Sequence, residues 1–165
     1  MDLSLTVLIP IRNEQENIKI ISDEILSKIF CKNFELLFVN DFSEDNSENE
    51  LKKLTEKYSQ IKYINNDEKG LGGAISAGIH NSTGKFICIM MSDSSDTVED
   101  LNKYYEVISG DDLDAVFGSR FIKGGKVVEY PKLKYILNRL GNLLAKLLLW
   151  TDLNDFTNAF KIYKK

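Results

Sequence analysis

At 165 residues and a formal net charge of -4, the chain is long enough for one domain with its own core and lacks the positive excess that favours nucleic-acid partners. The only histidine, His80, argues against a histidine-based triad or metal cage, while the distant Cys31 and Cys88 suit reduced thiols in a cytoplasmic protein. No signal segment opens the chain, and the apolar stretch 136–150 is interrupted by Asn138, Arg139, Asn142 and Lys146, so no membrane-spanning helix is expected.

Strands and helices alternate. Leu3 to Pro10 reads as a buried strand, and Asn13-Glu14-Gln15-Glu16 opens a helix, with Asn13 as its cap and the acids at the positive end of the dipole. Phe34 to Asn40 is a second strand, followed by an acidic turn and a helix over Ser47 to Tyr58. Ile61 to Asn65 is a short strand, and Gly72 to Asn81 a small-residue helix that His80 helps to finish. Lys85 to Met90, Val98 to Ser109 and Leu113 to Gly118 continue as strand, helix, strand. This rhythm predicts an α/β fold with a doubly wound, mostly parallel sheet and right-handed crossovers. Beyond Ser119 it stops. Residues 120–131 read as a loop, Leu133 to Trp150 as an amphipathic helix, and Ala159 to Tyr163 as a closing strand. The expected organisation is one domain, 1–165, with a ligand-binding half over 1–119 and a short second part over 120–165.

Polar residues recur where strands one, two and four end. Pro10-Ile11-Arg12-Asn13-Glu14 follows the first, Asn40-Asp41 the second, and Asp93 to Asp96 the fourth. Ligands of open α/β sheets bind outside those carboxyl ends, and carboxylates there suit a hard divalent cation that neutralises phosphates. The other reading of Asp93 to Asp96 is a solvated loop in which Asp96 or Thr97 caps the next helix. The segment Gly70-Leu71-Gly72-Gly73 fails as a dinucleotide fingerprint, because it does not follow the first strand and lacks the later acid. Its glycines serve either close approach to a ligand or close packing. Gly118-Ser119-Arg120 ends the fifth strand with a guanidinium suited to phosphate, with Lys134 and Arg139 further on.

Together these motifs resemble the family 2 glycosyltransferases of the GT-A fold, in particular the polyprenyl-phosphate (dolichol-phosphate mannose synthase-like) branch. Thr6 to Glu14 is similar to the opening strand and its "IPxxNE" end, and Val39 to Asp45 to the "VDDxSxD" element. Gly70 to Gly78 with Thr83-Gly84-Lys85 resembles "GLGxAxxxG…TG". Gly118 to Phe121 with Gly124-Gly125 and Tyr130-Pro131 resembles the "GSRxxxGG…P" loop, and Asp155 to Phe160 the "DxxSGF" element.

The resemblance implies an inverting transfer of a sugar from a UDP- or GDP-sugar donor to an acceptor, with a polyprenyl phosphate the expected one. By the same resemblance Pro10, Asn13, Glu14 and Gly72 line the donor site and Asp41 accepts a hydrogen bond from its base. Asp93, with Asp96, would hold Mg²⁺ or Mn²⁺ on the diphosphate, while Arg120, Lys134 and Arg139 would bind acceptor or donor phosphate. Asp93 and Arg120 are then the catalytic candidates. Two positions depart from the pattern: Met91 stands at the first "DxD" carboxylate and Asn40 at the first acid of "VDD". Asp96, Ser94 or bound water is expected to compensate at the metal. The chain is also shorter than such enzymes, so a truncated transferase is expected, or a non-catalytic nucleotide-sugar-binding module or subunit that needs a partner. A nucleotidyltransferase is disfavoured, because the first strand lacks that class's glycine-rich basic loop. Leu133 to Trp150 is read either as a helix packed on the domain or as one lying on the cytoplasmic membrane face with Lys134, Arg139 and Lys146 toward headgroups, and exposure of its apolar side would favour homo-oligomers.

Overall fold

The computed structural model describes residues 4–93, 95–122 and 131–165. Leu3, Ser94, Gly124, Gly125, Tyr130 and the side chain of Lys132, all drawn on above or charged neighbours of the expected site, lie outside the described set. The elements run β1 (Leu5–Ile11), α1 (Gln15–Lys28), β2 (Phe34–Asn40), α2 (Ser47–Lys57), β3 (Ile61–Asn65), α3 (Leu71–Asn81), β4 (Phe86–Ile89), α4 (Val98–Gly110), β5 (Ala115–Phe117), α5 (Lys132–Leu149) and β6 (Lys161–Lys164).

The sheet order is β3-β2-β1-β4-β6-β5. β1 is parallel to β2 and β4, and β2 to β3, whereas β6 runs antiparallel to β4 with Ile162 opposite Cys88. The reversal of order between β1 and β4 brings the carboxyl ends of β1, β2 and β4 side by side, which is the crevice expected from the motif spacing.

Every residue of β1 and β2 is buried. Their side chains alternate between two apolar layers, which explains why both strands are apolar almost throughout. Leu5, Val7, Ile9, Leu36 and Phe38 join α1, α2 and α4 on one face. Leu8, Leu37, Val39 and Ile87 meet Ala74 of α3 on the other. Pro10 is tolerated inside β1 because it lies beyond the last β1–β4 pairing, Leu8 with Ile89, so its missing N–H breaks no bond on that side. Gly84 precedes β4 where the chain presses on β1. A Cβ there would stand 2.5 Å from the Thr6 nitrogen and 2.6 Å from the Leu5 carbonyl carbon, so only glycine fits without moving backbone.

At the end of the sheet away from the crevice, the buried Glu35 carboxylate joins β1, β2, β3 and the turn before β4. Thr6 Oγ1 donates to Glu35 Oε1 at 2.7 Å, the Thr83 N–H at 2.6 Å and Thr83 Oγ1 at 2.8 Å, and Lys62 Nζ donates to Oε2 at 2.8 Å.

The chain divides into two compact units, the first running to Val116 and regaining Phe160–Lys165, the second Phe117–Ala159. β6 therefore rejoins the first unit. In the second unit α5 carries Asn138 and Asn142 on its inner side: Asn142 Oδ1 accepts from the Phe156 N–H at 2.6 Å and Asn138 Nδ2 donates to Thr157 Oγ1 at 2.9 Å. No helix among the described residues is long and apolar enough to cross a membrane.

Candidate active site

The loops after β1 and β2 are laced together by side chain to backbone hydrogen bonds. The Asn13 N–H donates to Ser43 Oγ at 3.0 Å, and Asn13 Oδ1 accepts from the Glu44 N–H at 2.7 Å. The Glu14 N–H donates to Ser47 Oγ at 3.0 Å and the Gln15 N–H to Asp45 Oδ2 at 3.2 Å. Asn13 is therefore not the cap of α1 expected from its position. It takes a left-handed backbone, φ 56°, which a short polar amide tolerates, and its side chain holds the neighbouring loop instead. The N-cap position belongs to Glu14, whose side chain makes no capping bond. Between the loops lies a polar cleft of about 200 Å³ lined by Asn13, Glu14, Gln15, Glu16, Asn17 and Asp45.

At the end of β2, Asn40 and Asp41 are both buried. Asn40 donates to Asn65 Oδ1 at 2.9 Å and accepts from the Ser43 N–H at 3.2 Å, so an amide at this position closes a network that needs both a donor and an acceptor. Asp41 Oδ1 accepts from Asn66 Nδ2 at 2.8 Å and from the Gly70 N–H at 2.9 Å, with Oδ2 3.1 Å from the same nitrogen. Asp41 thus fixes the entry of α3. Gly70 reaches this carboxylate with φ 117°, a conformation that favours glycine. Asn66, the partner that completes the arrangement, is not among the residues the motifs single out. Its signal is a polar pair, Asn65-Asn66, at a strand end.

Gly72 lies in the first turn of α3, and a Cβ there would touch nothing within 4 Å. Neither packing nor backbone conformation demands glycine at this position. We expect Gly72→Ala to raise the unfolding free energy by about 0.5 kcal/mol through helix propensity. If the open turn receives the donor, the same substitution weakens nucleotide binding. Urea melts and calorimetry on one sample check both signs.

β4 ends at Ile89, and the chain then turns sharply. Asp96 Oδ2 accepts from the Met91 N–H at 2.9 Å, and Asp93 Oδ1 from the Ser95 N–H at 3.0 Å. Thr97, not Asp96, caps α4, its Oγ1 accepting from the Asp100 N–H at 3.1 Å. Asp96 instead folds the loop back onto the strand, and Asp93 is left exposed at the tip. Among the described residues no three His, Cys, Asp or Glu side chains cluster as a metal cage. The carboxylates that this loop offers are those of Asp93 and Asp96, oxygen donors of the kind a hard cation takes.

Arg120, Lys134 and Arg139 belong to the second unit. Arg120 forms a two-pronged ion pair with the buried Asp155, Nε to Oδ2 at 2.8 Å and Nη2 to Oδ1 at 2.9 Å. The Arg120 N–H adds a third bond to Oδ2 at 3.1 Å, and Nη2 also donates to Thr157 Oγ1 at 2.9 Å. Burial alone would push the Asp155 carboxyl upward, but the Arg120 hydrogen bonds and charge outweigh it and hold it below its ordinary value. Arg120 is therefore a guanidinium held by its partner. Asp155 was legible as part of a motif, but its pairing across 35 residues was not. The Arg139 guanidinium lies over the Phe121 ring, 4.6 Å from its centre, and Lys134 is exposed.

A mostly parallel sheet with acidic and amide-bearing loops at adjoining strand ends is the setting in which open α/β proteins bind ligands. The glycosyl transferase family 2 model matches residues 6–165, and the chain belongs to that family. It is 27% identical over 165 residues to the dolichol-phosphate mannosyltransferase of Pyrococcus furiosus, covering 99% of this chain and 47% of that protein. With the Saccharomyces cerevisiae dolichol-phosphate mannosyltransferase it shares 26% identity over 151 residues, covering 88% and 56%. The chain thus spans about half the length of the curated relatives it matches. Its fold is of the GT-A type. The Mycobacterium tuberculosis glucosyl-3-phosphoglycerate synthase in complex with Mn²⁺, UDP and phosphoglyceric acid aligns with a TM-score of 0.71 at 16% identity, covering 98% of this chain and 56% of the other. A Pyrobaculum calidifontis mannosyltransferase in complex with GDP-mannose and Mn²⁺ aligns at 0.60 and 18%, covering 84% and 39%.

Proposed function

We propose that this chain is the nucleotide-sugar-binding part of an inverting glycosyltransferase that moves a hexosyl group from a UDP- or GDP-sugar to a polyprenyl phosphate. The observation that carries this reading is the juxtaposition of three strand ends bearing Asn13 and Glu14, Asp41, and Asp93 in a family 2 chain. Pro10, Asn13 and Glu14 would form the wall of the donor site, and Gly72 would leave room beside it. Asp41 would meet the base through the Oδ2 side, since Oδ1 already takes two donors.

In the transfer, an acceptor phosphate oxygen attacks the anomeric carbon from the face opposite the leaving group. The bond from that carbon to the diphosphate breaks, and the nucleoside diphosphate leaves with the electron pair. A phosphate acceptor is already anionic at neutral pH, so no general base is required. Asp93 and Asp96 would hold Mg²⁺ or Mn²⁺, which supplies neutralisation of the leaving diphosphate. Arg120, set in place by Asp155, and Lys134 and Arg139 are the cations of the second unit for phosphate.

A non-catalytic nucleotide-sugar-binding subunit is the second reading, favoured by Met91 at a position where a carboxylate would strengthen the metal site. Calorimetric titration of UDP, GDP and their sugar conjugates, with and without Mn²⁺, tests the donor site. Metal-dependent binding of one nucleotide is expected. No binding by a folded chain overturns the reading, and binding without transfer to a polyprenyl phosphate supports the subunit instead.

A further inference from the structure

The Asp41 carboxylate has little acceptor capacity left for a ligand. An ionised carboxylate offers about four lone-pair sites on its two oxygens. Oδ1 accepts from Asn66 Nδ2 at 2.8 Å and from the Gly70 N–H at 2.9 Å, and Oδ2 lies 3.1 Å from the same Gly70 nitrogen. One site remains, and it is on Oδ2. Asp41 is only 5% exposed, so a base that meets it leaves little room for water. Asn40 beside it is an amide already spent on Asn65 and on the Ser43 N–H.

The donors around this carboxylate are committed too. Asn66 Nδ2 donates to Asp41 Oδ1 and to the Glu68 carbonyl, and the Gly70 N–H goes to Asp41. Lys69, exposed in the same turn, brings an ammonium. Its Nζ lies 6.0 Å from the centre of the Phe42 ring, which folds it over the loop after β2. Phe42 takes a left-handed backbone, φ 54°, which is costly for a bulky residue. The turn holds it there: the Asp41 N–H donates to the Ile11 carbonyl at 2.8 Å and the Ser43 N–H to Asn40 Oδ1 at 3.2 Å. One open acceptor with an ammonium in the adjoining turn suits a single N–H flanked by a carbonyl oxygen. Uracil presents that edge, with N3–H between O2 and O4. Guanine presents N1–H beside the N2 amino group, a donor pair that calls on both carboxylate oxygens. With Oδ1 filled, one of those N–H groups is left unpaired on binding.

We propose that the Asp41 site selects a uracil-containing donor over a guanine-containing one. The uracil N3–H donates to Asp41 Oδ2, and a flanking carbonyl oxygen accepts from Lys69. Asn66 is a positioning residue that acts through Asp41, because it fills the oxygen a guanine would need. The inference rests on the strand-end crevice being the donor site, and it narrows two candidate nucleotides to one.

The test is calorimetric titration of the full chain, with Mn²⁺ present, by UDP, GDP and inosine diphosphate. All three carry the same diphosphate, so differences in affinity come from the nucleoside. Inosine diphosphate is GDP without the N2 amino group, and it presents one N–H beside a carbonyl on the same purine frame. UDP is expected to bind about tenfold or more tightly than GDP, and inosine diphosphate several-fold more tightly than GDP. Asn66→Ala frees a lone pair on Oδ1 and is expected to narrow the ratio of UDP to GDP affinity. A merely structural loss at the entry of α3 would weaken both nucleotides alike and leave that ratio unmoved. If Asn66→Ala fails to fold, the inosine diphosphate comparison in the unaltered protein still decides. GDP binding as tightly as UDP, inosine diphosphate binding no better than GDP, or an unmoved ratio in folded Asn66→Ala each overturn the proposal while upholding the donor site. Binding of none of the three overturns the donor-site reading itself, and this inference with it.

Discussion

Asp93→Asn is expected to lower Mn²⁺-dependent nucleotide affinity by about a hundredfold, roughly 2.7 kcal/mol, while leaving the thermal melt unchanged. The two effects separate because of how the side chain is held. Asp93 is exposed, and its one described hydrogen bond is accepted from the Ser95 N–H, a role that an amide oxygen fills equally well. The substitution therefore keeps the turn and removes only the charge. A hard cation at this loop has few side-chain oxygens to draw on, since the Met91 side chain supplies none and Asp96 Oδ2 already accepts from the Met91 N–H. Asp96→Asn preserves that acceptor when its amide oxygen faces Met91, so it should weaken metal-dependent binding less than Asp93→Asn. Calorimetry with and without Mn²⁺ measures both variants. Unchanged metal dependence in Asp93→Asn would remove Asp93 from the site.

Glu35→Ala should cost about 3 kcal/mol of unfolding free energy, read from urea melts. Glu35 is 1% exposed and accepts four hydrogen bonds. Its removal leaves the Thr83 N–H and two hydroxyls without this acceptor in a place water reaches poorly. Thr6 Oγ1 also accepts from the Gly84 N–H at 2.9 Å, so the loss spreads to the turn that presses on β1. The same carboxylate sets a pH dependence. Burial by itself raises the Glu35 carboxyl, but the hydrogen bonds from Lys62, Thr6 and Thr83 outweigh it and hold it below its ordinary 4.5. Asp155 is likewise held below 3.8. A carboxyl whose folded value is depressed stabilises the fold fully above its unfolded value. That contribution is lost as pH falls through the folded one. The protein should therefore lose stability on acidification below about pH 4.5, and Glu35→Gln should flatten the upper part of that fall. A wild-type melting temperature that stays level from pH 6 to pH 3 would contradict both assignments.

The fold was legible in the chain because its signals are local. The apolar runs of β1 and β2 announce strands covered on both faces, and the turn residues between segments place the expected helix ends to within one residue. The alternation of strands and helices predicts parallel strands joined by crossovers, and the strand order, with β1 beside β4, came from the structure. What the alternation did not contain was the direction of β6, a four-residue strand that runs antiparallel to β4.

The site was legible as residue types and illegible as partnerships. Asn13 looked like a cap because caps are read from the next few residues, yet its real partner, the Glu44 N–H, is 31 positions away. Of the two residues offered as cap of α4, Asp96 and Thr97, it is Thr97 that takes the role. Asp41 and Arg120 each looked like a charge awaiting a ligand. Asn66 and Gly70 in one case, and Asp155 in the other, occupy the carboxylate or guanidinium first.

By itself the amino-acid sequence determined the strand and helix alternation, the family, and which loops carry carboxylates, since each of these depends on neighbours within a few residues. Only the tertiary structure decided which of those polar groups are committed to one another and that the leucines of α5 face outward. Hydrogen-bond partners and helix facing are set by segments far apart in the chain, and hydrophobic periodicity fixes an apolar stripe without stating which side of the helix the protein will cover.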